Sequence, residues 1–174
     1  DWNKEVLLPR AWQQMHSLTA SGGSDKVKYF AGFGYVKQDA LYGDTRTNKS
    51  TSGFNRYNAR VNIDANIVDK YLNLSADMAY RQEDRNSIEG STSDVFNNMH
   101  RNPQTDPGRF PDGNLGKVSL GVNPIGLATE GVWVKDRKSV LNTRFMLDFN
   151  VPGLEGLNLK GIFSYDKIFN SIKR

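Results

Sequence analysis

The 174-residue sequence has no cysteine and only two histidines. The first absence excludes disulfide scaffolds, thiol catalysis and Cys-ligated zinc or iron–sulfur sites. The second leaves His16 and His100 as the sole imidazoles, in no metal-ligand spacing. Long apolar runs are missing too. Nothing approaches the ~18 residues of a transmembrane helix, and the mean hydropathy is −0.61. That average is silent about membrane barrels, whose strands alternate. Aliphatic residues are sparse: apolar types form 37% of the chain, and only the 16 glycines bring it near the composition of a soluble domain. Tyr and Phe supply most of an 11% aromatic share. That mixture is poor for a compact helical core and suits twisted, half-polar strands.

Charge of one sign is never concentrated. The 23 Lys+Arg exceed the 19 Asp+Glu by four, and the pI is 9.3, yet cations alternate with acids along the whole chain. Without a basic stripe, the footprint of a nucleic-acid binder is missing. Gly32-Phe33-Gly34 lacks the third glycine of a phosphate loop and sits inside a strand pattern. Glu83 and Asp84 read as solvated charges, no serine occupies a nucleophile elbow, and neither histidine has a triad partner. Asp106, Asp112 and Asn114 offer oxygens at a spacing that fits no standard calcium loop. No catalytic residue, cofactor or metal ligand is therefore expected, and no enzyme. Starting at Asp1 with neither initiator Met nor leader, the chain is expected to be a mature segment or a cut piece.

What is present is alternation. From Arg56 to Ile67 the even positions are all polar (Arg56, Asn58, Arg60, Asn62, Asp64, Asn66) and the odd positions all apolar. At this composition such a run arises by chance at about 2 in 10,000 per starting point. Leu72, Leu74, Ala76, Met78 and Tyr80 repeat the pattern after a tight Val68-Asp69-Lys70 connection, which predicts a hairpin. Residues 141–150 and 157–166 form a second such pair across Val151-Pro152-Gly153-Leu154-Glu155-Gly156. Residues 16–21 and 28–36 form a third around Gly22-Gly23-Ser24-Asp25-Lys26. About six antiparallel strands of around ten residues are predicted.

Their connections alternate short and long. Three are tight, around Gly22, Asp69 and Gly153, and two are long, Gln38 to Gly53 and Gln82 to Lys138. All short turns then lie at one edge of the sheet and all long loops at the other. Soluble sandwiches and lectin-like folds also alternate, so a soluble β-rich binding module of carbohydrate-binding or adhesion type stays open as an alternative. The asymmetry favours a membrane barrel, which has short periplasmic turns, long extracellular loops and an apolar outer face around a polar lumen. The loop 82–138 carries its own order. Ser91-Thr92-Ser93-Asp94 caps a short helix that stops before Asn102-Pro103, and Pro103, Pro107, Pro111 and Pro124 restrict the backbone beyond it.

Several motifs resemble one family. Asp1-Trp2, His16 to Lys26 and Tyr29-Phe30 are similar to an early barrel hairpin of the SusC/RagA family of TonB-linked outer-membrane transporters. Phe54 to Asp64 is similar to its next strand. Arg101-Asn102-Pro103, Asp112-Gly113 and Asn123-Pro124-Ile125 come next, in the family's order. Gly153-Leu154-Glu155-Gly156-Leu157 and Ser164-Tyr165-Asp166 resemble a later turn and strand. The resemblance implies an all-β, up-and-down meander belonging to a 22-stranded transmembrane barrel in the Gram-negative outer membrane. It further implies import of large nutrients, oligosaccharides or peptides, under a SusD-like surface lipoprotein, with TonB supplying energy through an N-terminal plug. Residues 1–174 would be an early barrel segment without that plug, with 82–138 as an extracellular loop.

Within this frame Arg56, Asn58, Arg60, Asn62, Asp64, Asp77 and Arg144 are expected to face the lumen. Tyr57, Val61, Ile63, Leu72, Leu74, Met78, Phe145, Leu147 and Phe149 are expected to face lipid. Trp133, Arg101 and His100 are candidate loop contacts to cargo or lid, Trp133 by stacking on a sugar ring. Trp2, Trp12, Tyr35, Tyr71 and Tyr80 are candidates for the membrane interface. Six strands fall short of the smallest common membrane barrels of about eight, so the isolated piece is expected to keep both sheet edges open.

Overall fold

A computed structural model describes every residue except Glu89, Gly90, Val132 and Glu155. Along the chain come helix α1 (Trp2–Val6), strands β1 (Gln13–Gly23) and β2 (Val27–Asp39), a small pair β3 (Gly43–Asp44) and β4 (Lys49–Ser50), then β5 (Gly53–Val68) and β6 (Leu72–Ile88). Helices α2 (Thr92–Arg101) and α3 (Pro124–Thr129) precede β7 (Trp133–Asn150) and β8 (Asn158–Lys173). The six long strands form one antiparallel sheet in the order β1-β2-β5-β6-β7-β8, an up-and-down meander. The chain is all-β in this sense. The sheet is open, with β1 and β8 as its edges.

The strands run longer than the ten residues expected, from 11 in β1 to 18 in β7. The long connection correspondingly shrinks from 82–138 to residues 89–132. The reason is local. Beyond Arg81 both faces of the ladder turn polar, so alternation fades while backbone pairing continues from Gln82↔Ser139 to Ile88↔Trp133. Trp133, expected in the loop, is instead the first residue of β7.

The short turns hold together at one edge. Ser24 Oγ accepts from the N–H groups of Lys26 and Val27, both at 3.3 Å. Lys70 takes a left-handed φ of 68°, and Tyr71 N–H closes on Val68 O at 2.9 Å. The neighbouring turns are tied by Asn66 N–H to Lys26 O at 2.7 Å and by Asn150 Nδ2 to Lys70 O at 2.8 Å. In the third turn Gly153 and Gly156 have φ of 83° and 85°, which disfavour a side chain. Glu155, part of that expected turn, lies outside the described residues.

The hydrophobic core sits at the opposite edge, where it takes from the sheet only Ile88 at the end of β6. Trp2, Val6, Tyr42, Ile88, Val95, Met99, Ile125 and Ala128 form one buried cluster, with Phe96, Leu115 and Trp133 packed against it. It is built by α1, α2, α3 and the β3–β4 segment, so the two long connections fold over each other as a cap. The Ser91–Asp94 capping box starts α2 and Asn102 ends it, as the sequence predicts. Helix α1 was not expected. Asp1 caps it, and its Trp2, placed at a membrane interface by sequence, is only 2% exposed because the apolar cluster takes its ring.

Candidate functional site

Register decides which side chains share a face. The even residues of β5 pair across the sheet so that Asn62 lies opposite Asp77, and Asp77 opposite Arg144. All seven residues expected to face the lumen, Arg56, Asn58, Arg60, Asn62, Asp64, Asp77 and Arg144, therefore occupy one face. Arg144 donates to Asp77 Oδ2 from Nε at 3.0 Å and from Nη2 at 2.5 Å, while Asn62 Nδ2 donates to Asp77 Oδ1. Ser75 donates to Asp64 at 2.6 Å, and Asn142 to Asp166 at 2.7 Å. Ala79, directly opposite Arg60 and Asn142, leaves room beside this ladder. A hollow of about 340 Å³ opens there between Arg60, Asp77, Asn142, Arg144 and Asp166. Such a surface of paired acids, amides and arginines suits hydroxylated or zwitterionic groups in water.

The other face carries the apolar phase. Ile63 lies opposite Ala76, Ala76 opposite Phe145, and Phe145 opposite Phe163. Val61, Met78, Leu74, Leu147 and Tyr57 belong to this face, as do Leu18 at 72% and Phe163 at 62% exposure. Leu72 and Phe149 pair at its turn end. No described residue covers it. Along β5 the band runs from Tyr57 to Ala65, nine residues and about 27 Å of strand, the length of a tilted membrane-crossing strand. At its loop end Tyr35 and Tyr57 pack with ring centroids 5.0 Å apart, and His16 stacks on Tyr35. Tyr80, from the same face, donates to Gln82 at 3.0 Å. Tyr71 lies at the opposite, short-turn edge and Trp12 is exposed just before β1.

Two buried asparagines fix the cap. Asn102 Nδ2 donates to Asn98 O and Val122 O at 2.9 and 3.0 Å, and its Oδ1 accepts from Leu120 N–H. Asn123 caps α3 by accepting from Ile125 N–H at 3.0 Å and donates to the carbonyls of Gly108 and Gly116. Trp2 Nε1 donates to the carbonyls of Asn102 and Pro103, both at 3.1 Å. Of the expected loop contacts, His100 and Arg101 are exposed on the last turn of α2. Trp133 is half-buried against the core cluster. Asp106 accepts from Ser119 and Asp112 from Asn114, in separate turns. Hydrogen bonds from the Asn114 backbone and side chain hold the Asp112 carboxyl below its usual range. Among the described residues no group of three or more acids and histidines comes together.

Sequence reasoning did not foresee a larger hollow, about 540 Å³, at the junction of cap and sheet. Gln38, Phe54 and Arg85 form its sheet side, in one row across β2, β5 and β6 on the polar face. Phe96 and Thr92 of α2 and Tyr42 close it from the cap. One signal was legible: Phe54 is an aromatic on the phase that is otherwise polar from Arg56 to Asn66. An aromatic floor under convergent polar groups is the composition of a small-molecule site. Compared with known proteins, the chain matches no family model and no curated protein.

Proposed function

We propose that the chain is a barrel segment of a SusC/RagA-like TonB-dependent transporter of the Gram-negative outer membrane, importing oligosaccharides or peptides. The observation that carries the reading is the uncovered apolar face. Six neighbouring strands present it, short turns close one edge, and a folded cap stands on the other. Water gives no reason for that asymmetry, whereas a membrane with two unlike sides does. The polar face with Arg60, Asp77 and Arg144 then lines the lumen, and the hollow under Phe54 and Phe96 stands on the cargo path. A SusD-like lipoprotein meets the loop end, and TonB acts through an N-terminal plug. Transport belongs to the whole barrel, and these strands contribute its wall and one entrance.

Refolding the chain by dilution from urea, with and without phosphatidylcholine vesicles, tests the reading. Vesicles are expected to protect the six strands from protease, with the open edges β1 and β8 pairing between copies, and to leave the cap accessible. A soluble, monodisperse monomer without lipid favours the β-rich binding module instead. In a full-length transporter, deleting 102–131 is expected to spare barrel assembly and weaken lid association or uptake. Survival of both makes the loop structural cover only.

A further inference from the structure

Above the apolar band, on the same face and toward the cap, charged, amide and hydroxyl side chains take over, with Phe169 on β8 as the exception. Lys37 follows Tyr35 on β2, Arg137 and Lys135 follow Leu141 and Ser139 on β7, and Lys173 follows Phe169 and Ser171 on β8. Four cations thus stand in a belt over the band, against the carboxylates of Asp39 and Asp84, while Lys167 lies within the band, level with Leu141 and Tyr80. Both acids are already engaged, Asp39 with Lys37 at 3.9 Å and Asp84 with Arg137 at 2.6 Å. Lys135 and Lys173 face each other directly across the β7–β8 ladder, and among the described residues neither makes a salt bridge. Like charges in direct register repel. They line a hollow of about 350 Å³ with Asp84, Asn86, Arg137 and, from the opposite phase, Asp136.

We propose that this belt holds the phosphorylated head groups of membrane lipid, centred on Lys135, Lys173 and the free nitrogens of Arg137. An anion between the two lysines would relieve their repulsion, and a guanidinium bound on one side still offers donors on the other. Continuity with the apolar band singles out a lipid over a free phosphate. Acyl chains lie along Leu141 and Phe169, and the head group reaches Arg137, Lys135 and Lys173 further along the same face of those strands. The inference rests on the reading that the apolar face meets lipid.

Flotation of the refolded chain with vesicles separates the two. Vesicles of phosphatidylcholine alone are compared with vesicles containing diphosphoryl lipid A, for the unchanged chain and for K135A/K173A. With each surface cation contributing about fivefold, the double variant is expected to lose roughly 20- to 30-fold of its affinity for lipid A vesicles. Its binding to phosphatidylcholine is expected to stay unchanged, and the preference to shrink with added salt. Equal binding of the unchanged chain to both vesicles overturns the head-group site and leaves the membrane reading standing. Failure to float with either vesicle overturns the membrane reading. Loss of the preference in millimolar inorganic phosphate, at constant ionic strength, makes this a free-phosphate site and overturns the lipid assignment.

Discussion

The cap and the sheet handle apolar surface in opposite ways. Seven of the eight residues in the core cluster come from α1, α2, α3 and the β2–β5 connection, and the eighth, Ile88, ends β6 where cap and sheet meet. In the strands below, Val36 is the only other fully buried hydrophobic among the described residues. The sheet instead leaves Leu18, Phe33, Met78, Phe145 and Phe163 exposed on one face. On the other, only the edge strands do so at length, with Met15 of β1 and Ile162, Ile168 and Ile172 of β8. A chain able to bury Trp2 and Val95 in a few short helices had the means to cover its strands. Its loops bury apolar surface as a water-facing domain does, whereas its strands leave an apolar face uncovered, as the proposed barrel wall would.

The comparison is broken most directly by emptying the cap. Trp2→Ala removes a buried ring and two hydrogen bonds, and is expected to cost the cap about 3–5 kcal/mol. Hydrogen exchange should show α1–α3 opening while the β5–β6–β7 amides keep their protection. Loss of protection in both would make cap and sheet one cooperative unit.

Charge on the sheet's two phases sharpens the other half. In vesicles Ile63→Arg is expected to cost about 2–4 kcal/mol of stability, and Asn62→Arg, one position away, close to nothing. Urea titration of the membrane-refolded chain reads the difference. Equal costs would mean that the two faces meet the same medium.

Asn102→Ala is next, at about 2 kcal/mol on the cap. It leaves Leu120 N–H and the Val122 carbonyl without their buried partner, while the Asn98 carbonyl keeps the backbone N–H of residue 102. Limited proteolysis between Pro103 and Val122 should speed up accordingly. Asp77→Ala, by contrast, removes an ion pair open to water and is expected to cost under about 1 kcal/mol. A larger loss would show that the polar face is less hydrated than a lumen wall should be.

The smallest effect is set by pH. The Arg46 side chain bonded to Asp44 holds the Asp44 carboxyl below its ordinary value, with burial acting against it and the Arg46 backbone N–H with it. Its contribution is therefore complete above the unfolded value of about 3.9 and is lost as pH falls through the lower folded value. Cap stability should fall slightly below pH 4, and Asp44→Asn should flatten that slope.

Alternation alone determined the strands, their pairing partners and their two phases, because a period of two admits only one division of side chains between faces. Arg56 to Ile67 needed no tertiary information, and neither did the Ser91–Asp94 cap of α2. Strand ends were not legible, because past Arg81 the ladder holds by backbone pairing where both faces are polar. Asn123 before Pro124 was a readable start for α3, but six residues leave no period to read. Trp2, Tyr42, Val95 and Ile125 meet only in three dimensions, since nothing local says that two loops forty and more residues apart share a core. The hollow between Phe54 and Phe96 and the register that sets Lys135 against Lys173 were likewise decided by tertiary structure. Local pattern assigns a side chain to a face, while contact across strands and loops depends on how distant segments close upon each other.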